Sequence, residues 1–304
     1  MTKRKSKSAD FKSLYDLFEA IPDEVAAISY FKNIIWKNGE RCPYCGHDKV
    51  YAFSDGKAWK CAKCRQRFSI RVGTIFEDSK IPLRKWLAAI WLITSHRKGI
   101  ASTQIARDLN VTQKTGWFML HRLRHAARTR SFNRPLRGFV EADEGYFGGK
   151  DKNRHKENRR KVKKTLAVGL LERQGELRVF PIKHTGQMIG AIVRNVKEGS
   201  RLMTDSAPVL ANMGALYDHT AVNHSRGQYG DGADGHTNSI EGVWALIKRQ
   251  IYGIHHWVSA KHLDRYLAEA VWRYNRRDVK DSNRIADFLT RVDGRLTYAS
   301  LIAP

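Results

Sequence analysis

Two groups of side chains in this sequence have the types and spacing to do chemistry. All four cysteines fall into two pairs, Cys42-Pro43-Tyr44-Cys45 and Cys61-Ala62-Lys63-Cys64, with 15 residues between the pairs. Two such knuckles offer four sulfurs in a tetrahedral array, the ligand set of a structural Zn²⁺. Arg41, Lys60, Lys63 and Arg65 flank them and favour the thiolate form. Two disulfides would be the alternative, but nothing else in the chain points to an oxidising compartment. His47 stands close by, yet four sulfurs already close the site.

The second group centres on residues 236–249 (HTNSIEGVWALIKR). Asn238, Glu241, Ala245 and Lys248 recur at steps of three and four, so they share one helical face. Ile240, Val243, Trp244 and Ile247 mark the opposite, apolar face. A bland role competes here: Asn238 could cap the helix, with Glu241 reciprocating. Acids upstream give the stretch a sharper meaning. Asp143 lies in a strand-like run and Asp205 ends another, so with Glu241 three carboxylates could converge. Such a set would hold two Mg²⁺ or Mn²⁺ ions, hard cations that prefer oxygen, and two metals suit an in-line phosphoryl displacement. Strand alternation puts Glu144 opposite Asp143 but Glu141 on the same face. Pattern alone leaves Asp143 and Glu141 both open.

The elements that must position these groups follow from periodicity and punctuation. Residues 11–37 are apolar at helical spacing, and Pro22-Asp23 divides them into two helices. Around the cysteines, residues 50–53, 57–60 and 67–70 read as three short strands, which makes a zinc ribbon. Residues 82–94 form an amphipathic helix. Residues 100–128 then have the layout of a helix-turn-helix, with Ser102 or Thr103 as cap, Ile105 and Leu109 inward and a turn at Asn110. Its second helix carries Lys114, Arg122, Arg124 and Arg128, which a DNA groove would engage; an ordinary helical hairpin with a solvated basic face is the alternative.

After a linker at 131–136, strands are expected at 138–147, 164–171, 177–182, 201–205 and 221–223. Helices are expected at 187–196 and 209–217 and again from about 238. The order β-β-β-α-β-α-β-α is that of a ribonuclease-H-like α/β domain, a mixed sheet with helices on both faces. Its first and fourth strands can lie side by side, which would bring Asp143 to Asp205. Residues 150–164 hold nine Lys or Arg, either as a solvated loop or along a DNA backbone. A long basic helix at 261–277 and a further helix at 284–292 precede a frayed end. The chain is thus a multidomain α+β protein: N-terminal helices at 1–40, ribbon at 41–80, helix-turn-helix at 81–130, catalytic domain at 131–277, and a C-terminal helix and tail at 278–304.

Lys and Arg number 55 against 30 Asp and Glu, a formal net charge of +25. A surplus of that size favours a polyanionic partner, nucleic acid first of all. No run of about 18 apolar residues suggests a membrane span, and the basic N-terminus lacks the apolar core of a signal peptide. A cytoplasmic protein is expected.

The chain resembles the DDE transposases of bacterial insertion sequences, the group in which a zinc ribbon precedes the catalytic domain. The resemblance spans residues 11–277. It rests on Trp36-Lys37-Asn38-Gly39 before CPYCGH and CAKC, on Val72-Gly73-Thr74-Ile75-Phe76 and on Lys114-Thr115-Gly116-Trp117. Further on it rests on Val140-Glu141-Ala142-Asp143-Glu144, Gly148-Gly149-Lys150, Thr204-Asp205 and HTNSIEGVWALIKR. It implies Asp143, rather than Glu141, as the first metal ligand, with Asp205 and Glu241 as the others. Some members of the group carry Asn as the third ligand, so Asn238 stands beside Glu241. Lys248 matches a basic residue used near the DNA end. The implied reaction is attack by water at the element's end, freeing a 3′-hydroxyl that then attacks target DNA. The implied partners are the terminal inverted repeats, target DNA and further copies of the chain in a synaptic complex, bound at the bacterial nucleoid. A DNA-binding regulator derived from a transposase, or a nuclease without strand transfer, would share many of these features.

Overall fold

Pro22 and Asp23 break the first helical stretch as their chemistry requires. Helix α1 (Leu14–Ala20) opens with a capping box between Ser13 and Asp16. Helix α2 (Glu24–Ile35) opens at Asp23, whose carboxylate accepts the Ala26 N–H at 2.8 Å. The computed structural model describes residues 11–128, 134–148, 164–205, 208–222 and 236–303. Two units divide the chain: Met1–Ala127 with Asp278–Pro304, and Arg128–Arg277.

In the first unit the ribbon is a three-stranded antiparallel sheet, β1 (Val50–Ala52), β2 (Trp59–Cys61) and β3 (Arg67–Phe68). Its apolar side is aromatic: Trp59 stacks on Phe68 and meets the edge of Trp36 at 4.8 Å. Helix α3 (Leu83–Ser95) is buried nearly all round. Its start is satisfied by Glu24 of α2, which accepts the N–H groups of Leu83 and Arg84. Helices α4 (Ser102–Asp108) and α5 (Gln113–Ala127) complete the helix-turn-helix. Asn110 makes the expected turn in the left-handed region (φ 48°). The cap of α4 is Ala101, with no side-chain bond, not Ser102 or Thr103; the Ser102 hydroxyl instead accepts from Gln113. The two helices cross closely at Gly116, where a Cβ would sit 2.9 Å from the Ser102 carbonyl.

The second unit holds β4 (Phe139–Phe147), β5 (Thr165–Glu172), β6 (Leu177–Ile182), α6 (Gln187–Asn195), β7 (Arg201–Asp205), β8 (Asp218–Val222), α7 (Asn238–Gly253) and α8 (Ala260–Asn275). The strand order is β6-β5-β4-β7-β8, antiparallel among the first three and parallel from β4 to β7 to β8. This mixed five-stranded sheet is ribonuclease-H-like. The helix expected at 209–217 is a 3-10 helix, Pro208–Ala215. Asn and Gly in so short a link are poor α-helix formers, and a tighter helix spans the gap between neighbouring parallel strands. Alternation along β4 and β5 splits the core. Phe147, Ala167 and Leu171 face Ile240, Trp244 and Leu267 of α7 and α8, while Val140, Ala142 and Val168 face Met188, Ile192 and Met213 on the other side.

The chain then returns to the first unit. Ile75 N–H donates to Val292 at 2.8 Å and Gly294 N–H to Gly73 at 2.8 Å. Helices α9 (Asp281–Leu289) and α10 (Tyr298–Ile302) follow, burying Ile285, Phe288, Leu289 and Leu301. The C-terminus is therefore a packed part of that unit and not a frayed tail. Among the described residues no helix is long and apolar enough to cross a membrane.

Candidate active site

The ribbon brings the four cysteines together: Cys61 ends β2, Cys42 and Cys45 precede β1, and Cys64 lies between β2 and β3. Cys42 and Cys64 sulfurs lie 3.5 Å apart and those of Cys45 and Cys61 3.6 Å. A tetrahedron with Zn–S bonds of about 2.3 Å has edges of about 3.8 Å, so the four sulfurs are spaced for one ion. Gly46 (φ 72°) and Arg65 (φ 62°), each directly after the second cysteine of its knuckle, turn the chain away. The four-cysteine cluster fits a structural zinc.

The acids are assembled by the sheet. Parallel pairing aligns Ala142 of β4 with Thr204 of β7, which brings Asp143 and Asp205, the next residues on each strand, side by side. Oxygens of Asp143, Glu144 and Asp205 all lie within 4.8 Å of one another. Alternation was expected to keep Glu144 away. The described pairing of β4 with β7 runs to Ala142 and Thr204, and past that pair oxygens of both β4 acids come within reach of the Asp205 carboxylate. Trp244 Nε1 donates to Asp143 Oδ2 at 3.0 Å and the Glu144 N–H to Asp143 Oδ1 at 2.8 Å. The Trp244 ring lies against Gly145 and Gly169, where a Cβ would come within 2.9 and 2.7 Å of it.

Electrostatically the cluster is costly without a cation. Burial, then the charges of Asp205 and Glu241, push the Asp143 carboxyl up to about 6 despite its two hydrogen bonds. Burial and the charges of Asp205 and Asp143 raise Glu144 as well. Glu144 Oε2 and Asp205 Oδ1 are buried and without a hydrogen-bond partner among the described residues. Two trans oxygens around a hard cation stand about 4–5 Å apart for bonds of about 2.1–2.4 Å. Crowded oxygens with unspent lone pairs at that spacing fit a divalent ion.

Of the remaining expected residues, Glu241, Asn238 and Lys248 are all exposed on one face of α7. Glu241 is near enough for its charge to raise Asp143. Asn238 is not the cap: Thr237 holds that position without a capping bond from its side chain, and Asn238 is the first helical residue. The open amide of Ile240 is satisfied instead by Glu141 Oε2 at 2.8 Å. Glu141, the alternative to Asp143 on pattern, is fully buried and ion-paired to Arg173, outside the acidic cluster. Trp244 and Glu144 were not singled out in advance. Trp244 looked like one more apolar position, and its contact with Asp143 depends on the sheet beneath it.

The expected DNA-facing residues divide. Lys114 is exposed at the start of α5, its Nζ 4.9 Å from the Tyr298 ring. Arg122 and Arg124 are a correction: they are 5% and 1% exposed. Arg122 donates to the Ile75 carbonyl at 2.9 Å and lies over Phe118, so its charge is spent inside the fold. Helical spacing puts Arg124 four residues after buried Leu120 and Arg122 three after buried Met119, which carries both onto the inward face. Arg128 is exposed and pairs with Asp264 of α8. The basic run at 150–164 falls, but for Lys164, outside the described residues.

Comparison with known proteins agrees with this architecture. Residues 135–275 match the ISXO2-like transposase domain and residues 22–67 the transposase zinc-ribbon domain. A protein in transposable element ISH50 of Halobacterium salinarum is 28% identical over 267 residues, 80% of this chain and 88% of that one. The Mos1 transposase paired-end complex with left transposon end shares 13% identity, with 68% of this chain and 80% of that chain covered, at a TM-score of 0.22. The chain thus carries a segment similar to the transposase zinc-ribbon domain at 22–67 and, after it, one similar to the ISXO2-like transposase domain at 135–275.

Proposed function

We propose that the chain is an active transposase, cutting the ends of its element and joining them to target DNA through 3′-hydroxyl attack. The observation that carries this is the convergence of Asp143, Glu144 and Asp205, with two buried unpartnered oxygens, inside a DDE transposase domain. Asp143, Asp205 and Glu241 would hold Mg²⁺ or Mn²⁺. Bound there, the ions would activate an attacking hydroxyl or water and stabilise the leaving oxygen of an in-line displacement. Trp244 keeps one oxygen of Asp143 engaged, which fixes the carboxylate's orientation. Burial around Asp143 limits competition from bulk water. Lys248, two turns beyond Glu241 on the same exposed face, is suited to a phosphate near the scissile bond. Asn238 would contribute a neutral oxygen beside Glu241. The ribbon and the exposed start of α5 with Lys114 would engage the terminal repeats, and two ends held at once would call for further copies of the chain.

The test supplies zinc-loaded protein with Mg²⁺ or Mn²⁺ and DNA carrying the repeats that flank its gene. The parent should nick and join these ends, and Asp205→Ala should do neither. Equal activity of Asp205→Ala would refute the site, and cutting without joining would identify a nuclease.

A further inference from the structure

We propose that Glu141 and Arg173 are a positioning pair that sets the register of α7 against β4, and so holds Glu241 toward the acidic cluster. The proposal rests on the metal-site reading above.

Glu141 is fully buried on β4, two residues before Asp143. A buried carboxylate needs partners for both oxygens. Oε1 accepts from Arg173 Nε at 2.7 Å, and Oε2 accepts from the Ile240 N–H at 2.8 Å. Ile240 is the third residue of α7, so the carboxylate satisfies an amide the helix start leaves open and faces the positive end of the helix. Arg173 extends the hold outward. Its Nη2 donates to the His236 carbonyl at 2.8 Å and lies 3.0 Å from His236 Nδ1. Its own N–H donates to the Phe139 carbonyl at 2.9 Å, tying the guanidinium's base to β4. The helix start is thus fixed from the sheet.

A second tie lies along the same line, from Trp244 to Asp143. The two ties are two residues apart on β4 and four apart on α7. Two strand residues rise about 6.6 Å and four helical residues about 6 Å, so strand and helix match in length between the ties. Glu241 is the residue directly after the first tie. A slip of one residue would turn it by about 100° about the helix axis, away from Asp143. Glu141 thereby acts on the metal site without touching it.

The test is Mn²⁺ binding to zinc-loaded, full-length protein without DNA, followed by electron paramagnetic resonance. Glu141→Gln keeps the side-chain volume, and Arg173→Lys serves as a second variant that leaves Glu141 charged. Each should weaken Mn²⁺ binding about tenfold or more, the usual effect of removing a partner that orients a ligand. Repeated in a Glu241→Ala background, Glu141→Gln should then cost less than about twofold. Parental affinity in both variants, in protein whose Asp205→Ala form has lost Mn²⁺ binding, would overturn the proposal and leave the site standing. Equal losses with and without Glu241 would also overturn it, by assigning the pair a general structural role. Unchanged Mn²⁺ binding in Asp205→Ala would remove the metal site itself, and this proposal with it.

Discussion

Replacing Asp143 by Asn should make the metal-free protein more stable while abolishing its response to divalent cations. The carboxyl is held at about 6 against an ordinary value of 3.8, first by burial and then by Asp205 and Glu241. At about 1.4 kcal/mol per pH unit, ionising it in the folded state costs about 3 kcal/mol at pH 7.5. Asn removes that charge. It also turns one oxygen, bonded now to Trp244 or to the Glu144 N–H, into a donor, which returns about 1–1.5 kcal/mol. A net gain of about 1–2 kcal/mol remains, or about 3–6 °C for a unit of this size. The sign with pH follows. The folded state holds the Asp143 proton more tightly than the unfolded state, so the penalty is absent below pH 4, grows through pH 4–6 and is complete above 6. The assay is a melting curve from pH 5 to 8 on zinc-loaded protein freed of other divalent ions, repeated with Mn²⁺. The parent should gain stability with Mn²⁺ and the variant should not. An Asp143→Asn variant no more stable than the parent at pH 7.5, or a gap that fails to narrow toward pH 5, would refute the electrostatic account of the cluster.

Gly169→Ala would place a Cβ 2.7 Å from the buried Trp244 ring, and a melt should show a loss of about 1–3 kcal/mol with an altered indole emission. Gly116→Ala would press on the Ser102 carbonyl at 2.9 Å, so it should destabilise the helix-turn-helix and weaken DNA binding, read by melting and by gel shift. Lys114→Ala should leave the melt unchanged and lower the salt dependence of DNA binding by about one phosphate contact; Arg122→Ala should instead lower the melting temperature, because its guanidinium is internal. Cys61→Ser should reduce bound zinc below one per chain by elemental analysis and unfold the ribbon, whose small aromatic cluster is a slight core by itself.

Sequence by itself determined whatever depends on spacing along one element. The cysteine pairs specify their cluster because each knuckle is local, and the polar and apolar faces of α7 follow from a period of 3.6 residues. The break at Pro22-Asp23 and the turn at Asn110 are likewise local chemistry. The placing of Asp143 beside Asp205 was legible too, given the order of strands.

Tertiary structure decided what depends on how elements meet. Glu141 and Asp143 share a strand face and a charge; only the arrival of Arg173 and the Ile240 amide makes one a helix anchor and leaves the other for the cluster. Glu144 joins the cluster past the Ala142–Thr204 pair, where alternation along β4 alone does not say which acids reach Asp205. Arg122 and Arg124 look like a basic DNA face in sequence, yet the helix turns them inward, where backbone carbonyls and aromatic rings such as Ile75 O and Phe118 can take up a guanidinium. Asn238 was equipped to cap its helix, but a buried carboxylate from the neighbouring strand satisfies the amide instead. A charge acquires its role from what stands within about 4 Å of it, and that distance is set by packing.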